Sequence, residues 1–211
     1  MKKNLITSLL LMITMLTGCM EAFDSMNRLA GMGDVTEEVS TFDNATIVNA
    51  SDNATIVNAS PAPLWREGSW YNFYRLGATW SSASPDYIAL VLSYKTDTDS
   101  LNGAPFVHFT GLQINIDGEI HSFSTIGSTK MDNSSYNSVM NTIYTSSTNT
   151  VIIPYELLKR MVNAKDCRLR ILTSHGSEDS QFSIERIPGA AQTAIVAFRT
   201  LISKVDNLKA K

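Results

Sequence analysis

Three residues whose side chains commonly do chemistry lie close together in this 211-residue chain. His175, Glu178 and Asp179, with a neighbouring serine, could supply the hydroxyl, imidazole and carboxylate of a Ser–His–acid site. All three fall between two predicted strands, in a loop where polar residues are the usual composition. We therefore expect no catalytic role there, and we keep His175 as a candidate ligand or partner contact.

A second candidate nucleophile is Cys167. It alternates with Leu169 and Ile171 in a predicted strand, so these three side chains share one face. That pattern favours a buried apolar residue over a reactive thiol. The chain also lacks the Gly-x-Ser-x-Gly, phosphate-loop, Gly-x-Gly-x-x-Gly and His-Glu-x-x-His motifs. We predict a protein that is not an enzyme and needs no cofactor.

Metal binding is disfavoured by the spacing of two histidines. Asp117-Gly118, between two alternating runs, predicts a hairpin with a type I′ turn, and this turn fixes the strand register. In that register His108 faces Gly127, about 20 Å from His121, so the two histidines cannot share an ion. The same register pairs Ile116 with Glu119, Ile114 with His121, and Leu112 with Phe123.

Aromatic residues are concentrated between positions 65 and 80, where all three tryptophans lie. Such a cluster either forms part of a core or makes an exposed patch that binds sugars, peptides or proteins. The core interpretation is favoured, because aromatic residues are also good strand formers. Trp65 follows Pro61-Ala62-Pro63 and should be the most exposed. The candidate contact residues in this segment are Trp65, Trp70, Tyr71, Tyr74 and Trp80.

The start of the chain has the form of an export signal. Lys2 and Lys3 precede a 12-residue apolar run, Leu5 to Leu16, that is too short to span a bilayer. The run ends in Leu16-Thr17-Gly18-Cys19. This tetrapeptide resembles the lipobox of bacterial lipoproteins, in which the cysteine receives a diacylglycerol and the signal is cut before it. The resemblance covers only these first residues.

The resemblance implies that residues 1–18 are removed and that Cys19 is lipidated, so the partner of the chain's N-terminus is a lipid bilayer. Met20 stands where an aspartate would retain a lipoprotein in the inner membrane. We therefore expect the outer membrane, with the folded domain in the periplasm or at the cell surface.

Residues 19–62 have the composition of a flexible tether. Residues 20–60 carry seven acids and one base, a net charge of −6. Asp43 to Ser51 is repeated without change as Asp52 to Ser60, and two short copies are too few for a stacked repeat fold. A spacer is favoured over a small adhesive strand repeat.

The predicted folded domain is residues 63–211, of α+β class. We expect an antiparallel sheet or small sandwich with a C-terminal helix, residues 189–208, packed on one face. A strand at residues 87–94 should be central because it is almost continuously apolar. A shorter helix is expected over residues 155–163.

The lack of catalytic motifs favours binding over catalysis. Residues 61–211 hold 14 basic and 13 acidic residues, and this near-neutral balance gives no electrostatic case for nucleic acid. We expect an envelope lipoprotein that binds or scaffolds another envelope protein. The alternatives are a glycan or small-ligand binder that uses the aromatic segment and, less favoured, a cell-envelope hydrolase.

Overall fold

The computed structural model describes residues 24–25, 31–40, 54–68, 73–98, 104–188 and 191–210. The export signal, Cys19, Met20, Trp70, Tyr71 and the first copy of the repeat lie outside these ranges, so the expectations for them stay predictions.

The strands of the described residues form two antiparallel sheets. The six-stranded sheet has the order β1-β2-β3-β4-β8-β7. Its strands are β1 (Val35–Ser40), β2 (Ala54–Pro63), β3 (Tyr74–Ser81), β4 (Tyr87–Asp97), β7 (Lys130–Asn133) and β8 (Tyr144–Pro154). The four-stranded sheet has the order β10-β9-β5-β6. Its strands are β5 (Phe109–Ile116), β6 (Glu119–Ser124), β9 (Cys167–Thr173) and β10 (Gly176–Gln181).

Two helices complete the described fold. Helix α1 (Tyr155–Asn163) begins directly after Pro154 at the end of β8, and its buried stripe includes Leu158 and Met161. Helix α2 (Ala194–Lys209) buries Ile195, Phe198 and Leu201 and packs on β1, β2 and β3. Both helices were expected from the 3.6-residue spacing of their apolar positions, although α2 begins five residues later than predicted.

One core joins the two sheets and both helices. The six-stranded sheet buries one face, on which cross-strand partners such as Leu76 and Leu92 lie side by side. Leu112 and Ile114 of β5 and Phe198 of α2 belong to the same apolar cluster. The structure is therefore mostly antiparallel sheet with a C-terminal helix, and sheet-dominant. The α+β prediction overestimated the helical content of the domain.

The Asp-Gly hairpin is confirmed. Asp117 and Gly118 both have positive φ, 49° and 99°, as a type I′ turn requires. The three predicted cross-strand pairs all form, each in the register read from the turn: Ile116 with Glu119, Ile114 with His121 and Leu112 with Phe123. The central position of the strand that begins at Tyr87 is confirmed as well, because β4 lies between β3 and β8.

The prediction of a flexible tether over residues 19–62 is wrong for much of the described part of that range, because β1 and nearly all of β2 lie in it. The second copy of the repeat supplies most of β2, an interior strand of the six-stranded sheet, with Val57 and Ala59 buried. Earlier residues also contact the fold, since Asp24 forms an ion pair with Arg186. The polar composition was misleading because only every second side chain of a half-buried strand needs to be apolar.

Small residues let the repeat fit at this position. The buried positions of β2 are Ala54, Val57, Ala59 and Ala62, which leave space for α2 above them. The register shifts between Ala59 and Ala62, and there the backbone comes very close to Gly77 of β3. A Cβ at Gly77 would lie 2.8 Å from the carbonyl oxygen of Ala59, so this close approach requires glycine.

Candidate functional site

The structure does not assemble a Ser–His–acid site around His175. His175 lies exposed in the turn between β9 and β10, where its Nδ1 is 3.0 Å from the Ser174 hydroxyl. The two nearby carboxylates pair with arginines instead: Glu178 lies 2.9 Å from Arg66, and Asp179 binds Arg170. No carboxylate orients the imidazole among the described residues, and His175 stays only a candidate surface contact.

Cys167 is confirmed as a buried residue. Its side chain is fully enclosed at the start of β9, and burial, with smaller contributions from Asp166 and Asp117, raises the pKa of its thiol to about 12. Such a thiol is protonated at neutral pH and is a poor nucleophile.

The described residues contain no cluster of three or more potential metal-ligating side chains. His121 lies beside Glu119, 3.1 Å away, on the edge strand β6. The predicted pairing of His108 with Gly127 is wrong, because the β5–β6 ladder ends at Gly111 with Ser124. The carbonyl of His108 instead accepts a hydrogen bond from the amide of Ser174.

The aromatic segment divides between core and surface. Trp80 is buried, 2% exposed, and its indole N–H donates to the carbonyl of Pro85, so the prediction of Trp80 as a candidate contact residue is wrong. Tyr74 is half-buried, and its ring centre lies 5.0 Å from that of Tyr94 and 6.3 Å from that of Phe109. Burial, reinforced by Tyr94, raises the pKa of its hydroxyl to about 12.

Trp65 lines an open cleft of about 340 Å³. The cleft lies on the solvent-facing side of the four-stranded sheet. Trp65 continues that sheet beyond β10, since its carbonyl accepts a hydrogen bond from the amide of Gln181 at 2.8 Å.

Strand register arranges the side chains on this side of the sheet in two rows. The first row, here called the outer strip, crosses β6, β5, β9 and β10 and ends at Trp65; it consists of Ile120, Asn115, Arg168, Gln181 and Trp65. The second row lies beside it and consists of Ser122, Gln113, Arg170 and Asp179. Cross-strand partners project on the same side of a sheet, so each row is a continuous line of side chains.

Ion pairs and hydrogen bonds hold these rows in place. Arg170 donates two parallel hydrogen bonds of 2.7 Å to Asp179, and this guanidinium holds the pKa of the Asp179 carboxyl below its usual value. Arg168 donates through its Nε to Asp166, 2.9 Å away, which raises the pKa of Arg168. Paired donors and acceptors reduce the side-chain entropy lost when a partner docks.

The outer strip can bind but is not arranged for catalysis. Its centre offers amide and guanidinium groups, and its two ends offer apolar surface from Ile120, which is 64% exposed, and from Trp65. Of the residues in the outer strip, Trp65 alone was predicted from the sequence as a contact residue. The available signal was the alternation of polar with apolar residues in β5 and β9, which places Asn115 and Arg168 on the face opposite the core.

Within the described part of the chain, no helix has the length and hydropathy needed to cross a bilayer. Comparison with known proteins gives no match to a family model, to a curated protein or to a solved structure.

Proposed function

We propose that this chain is a lipid-anchored, non-catalytic envelope protein that binds a partner protein through the outer strip. The observation that supports this best is the composition of the strip, with an apolar side chain at each end and polar groups between. Aromatic residues and arginine are enriched where protein interfaces carry most of their binding energy. Trp65 and Arg168 supply both residue types here.

The dimensions of the surface favour a protein over a small molecule. The five residues of the outer strip cross four strand spacings, about 19 Å in total. The cleft along them is open, and small ligands are usually enclosed on most of their surface. Pairing of Arg170 with Asp179 leaves the second row nearly neutral, so the partner surface should not be strongly charged.

The anchoring half of the proposal depends on the Leu16-Thr17-Gly18-Cys19 resemblance. It is tested by Cys19→Ser in the full chain, followed by separation of membrane and soluble fractions. We expect the unmodified chain in the outer-membrane fraction and the variant in the soluble fraction. Continued membrane association of the variant would overturn lipid anchoring at Cys19.

The binding half is tested in the native envelope with a photo-crosslinking amino acid incorporated into the chain. Gln113 lies in the second row, and Glu156, exposed on α1, is the matched control position. We expect discrete crosslinked products from position 113 and none of the same products from position 156. Combining the crosslinker with Trp65→Ala and Ile120→Ser should reduce the yield at least tenfold. Equal products from the two positions would contradict binding at this face.

A glycan is the second candidate ligand, because Trp65 lies beside amide groups in the same cleft. Tryptophan stacks against the apolar faces of sugar rings while neighbouring amides bind hydroxyls. Retention of the purified protein on peptidoglycan, abolished by Trp65→Ala and preserved by Trp65→Phe, would favour this candidate over a protein partner. No retention would dismiss peptidoglycan as the ligand.

A further inference from the structure

One end of the six-stranded sheet gathers several features that point to the membrane. Residues 31–34 lead into β1 at this end, because Val35 pairs with Ala59 near the end of β2. Strand β8 also begins here, since Tyr144 pairs with Asp97 at the end of β4. The chain therefore enters the fold at the same end of the sheet as the connection between β7 and β8. We call this the entry end.

The connection between β7 and β8 presents apolar side chains to solvent at the entry end. Val139 is 86% exposed, Met140 62% and Tyr136 61%, and Tyr144 follows at 43%. These four are among the nine exposed large apolar residues found in the described part of the chain. Such a concentration on one projection differs from the scattered apolar residues of an ordinary surface.

Local hydrogen bonds give this projection a defined shape. The side-chain oxygen of Asn137 accepts from the amides of Val139 and Met140, at 3.0 and 3.1 Å. The backbones of Asn137 and Thr142 bond to each other, and Asn141 adopts a positive φ of 51°. Residues 136–141, here called the apex, therefore hold Val139 and Met140 outward.

Charge is absent from the apex and from the segment that follows it. Residues 133–155, 23 in all, contain no Asp, Glu, Lys, Arg or His, although 18% of the whole chain is charged. Charged groups are costly to bring into a bilayer, so an uncharged projection is suited to entering one. Tyrosines such as Tyr136 and Tyr144 are common at the level of the lipid headgroups.

We propose that the apex is a second membrane contact, in which Val139 and Met140 enter the interface of the bilayer that holds Cys19. This inference rests on the lipid anchor of the proposed function. The ion pair of Asp24 with Arg186 limits the distance between the lipid anchor and the folded domain, since the five residue steps from Cys19 to Asp24 span at most about 17 Å. Asp24 lines one cleft together with Val35 and Pro63, which are at the entry end, so this end lies within reach of the membrane surface.

The two contacts together fix an orientation. The entry end is five strand spacings wide from β1 to β7, about 24 Å. With the anchor on the β1 side and the apex on the β7 side, the strands of this sheet stand upright on the bilayer. Two inserted side chains bind weakly by themselves, but an anchored domain is held at high effective concentration near the surface, so weak insertion is sufficient.

The charged residues near the apex indicate which lipids it should contact. The cleft next to it is lined by two basic and two acidic residues: Arg75, Lys95, Asp97 and Asp132. This balanced set gives no preference for anionic lipids, so the contact should form on zwitterionic membranes as well.

The test uses the full, lipidated chain reconstituted into phosphatidylcholine vesicles that contain doxyl-labelled lipid. An environment-sensitive fluorophore is attached at Val139→Cys or, as the matched control, at Tyr87→Cys. Tyr87 is 55% exposed and begins β4 at the opposite end of the same sheet. Cys167 is buried and should not take the label. We expect emission at shorter wavelength and at least threefold stronger quenching at position 139 than at position 87.

The outcomes separate the anchor from the apex. Failure of the labelled protein to sediment with vesicles would remove the lipid anchor and this inference with it. Sedimentation with equal quenching at positions 139 and 87 would overturn the apex contact and leave the anchor intact. A wavelength shift at position 139 in native envelopes but not in vesicles would show that the apex meets a protein, which also overturns the proposal.

Discussion

The carboxylate of Asp24 binds the guanidinium of Arg186, 162 positions away, with the Nη1–Oδ1 hydrogen bond at 3.0 Å. The pair is partly buried, with side-chain exposures of 17% and 25%. It fastens a residue that follows Cys19 by only five positions to the loop before α2. The lipid anchor that the signal resemblance implies at Cys19 would therefore be close to the folded domain.

Removal of this pair should lower stability. In the Cys19→Ser chain we expect Arg186→Gln to reduce the free energy of unfolding by about 2 kcal/mol, because Asp24 keeps a partly buried charge without its main partner. The measurement is urea unfolding. Arg199→Gln is the matched control: its pair with Glu185 is more exposed, and its loss should cost about 0.5 kcal/mol or less. Equal effects of the two substitutions would contradict a structural role for Asp24.

Deletion of one copy of the repeat should preserve the fold. Removing residues 43–51 or residues 52–60 gives the same sequence, because the copies are identical, so a complete β2 segment always remains. The connection between β1 and β2 would shorten from 13 residues to four, and loop entropy then favours the folded state by about 1 kcal/mol or less. A thermal unfolding midpoint equal to or slightly above that of the parent chain is expected. A fall of several degrees would contradict this assignment.

Substitution within each copy distinguishes the two. Val57 has no exposed surface in β2, so Val57→Ala should cost about 2 kcal/mol through lost contacts and a residual cavity. Val48→Ala changes the corresponding residue of the first copy and is the matched control, for which we expect under about 0.5 kcal/mol. Both values come from urea unfolding. Equal costs would mean that the copies contribute equally to the fold.

The Arg170–Asp179 pair should contribute a pH-dependent part of the stability. The pKa of the Asp179 carboxyl is lowered from 3.8 in the folded state, mainly by its hydrogen bond with Arg170. A lowered pKa means that the contribution is complete above about pH 4 and is lost as pH falls through the folded value. Both side chains are more than half exposed, so the contribution is about 0.5 kcal/mol or less.

The measurement compares the parent chain with Asp179→Asn by urea unfolding at pH 7 and at pH 3. We expect the difference between the two proteins to shrink at the lower pH and to fall when salt is added at pH 7. A difference that grows as pH falls would contradict the pairing.

The Cys167 thiol should be unreactive until the protein unfolds. In the Cys19→Ser chain we expect a thiol reagent such as dithiobis-nitrobenzoate to modify no cysteine in native buffer and one in denaturant. Because the pKa of Cys167 is raised from 9.0 to about 12, its contribution to stability is present below pH 9 and declines as pH rises above it. Rapid labelling of the native protein at pH 8 would contradict the buried position.

Local signals were sufficient to predict several elements. Asp117-Gly118 determines its hairpin register because two adjacent residues with positive φ permit one tight turn geometry. The helix α1 was predictable from the helical spacing of its apolar residues, and the strand at Tyr87 from its almost continuous apolar run. These predictions need no knowledge of distant residues.

The role of β2 could not be predicted in this way. Asn58 and Thr55 have the composition of a linker, and Val57 and Ala59 become core residues only because α2 and β3 lie against them. The outer strip depends on register in the same manner. Ile120, Arg168 and Trp65 are distant in sequence, and pairing of four strands sets them in one row.

The sequence by itself determined the resemblance to a lipoprotein signal, the turn at Asp117-Gly118 and the periodic helices, since each is encoded within a few consecutive residues. The tertiary structure alone decided that the second repeat copy supplies most of β2, that Asp24 meets Arg186, and that Trp65 joins Ile120 and Arg168 in one row. The physical reason is that burial and pairing are properties of the neighbours a residue acquires on folding. Those neighbours come from parts of the chain that no local pattern connects.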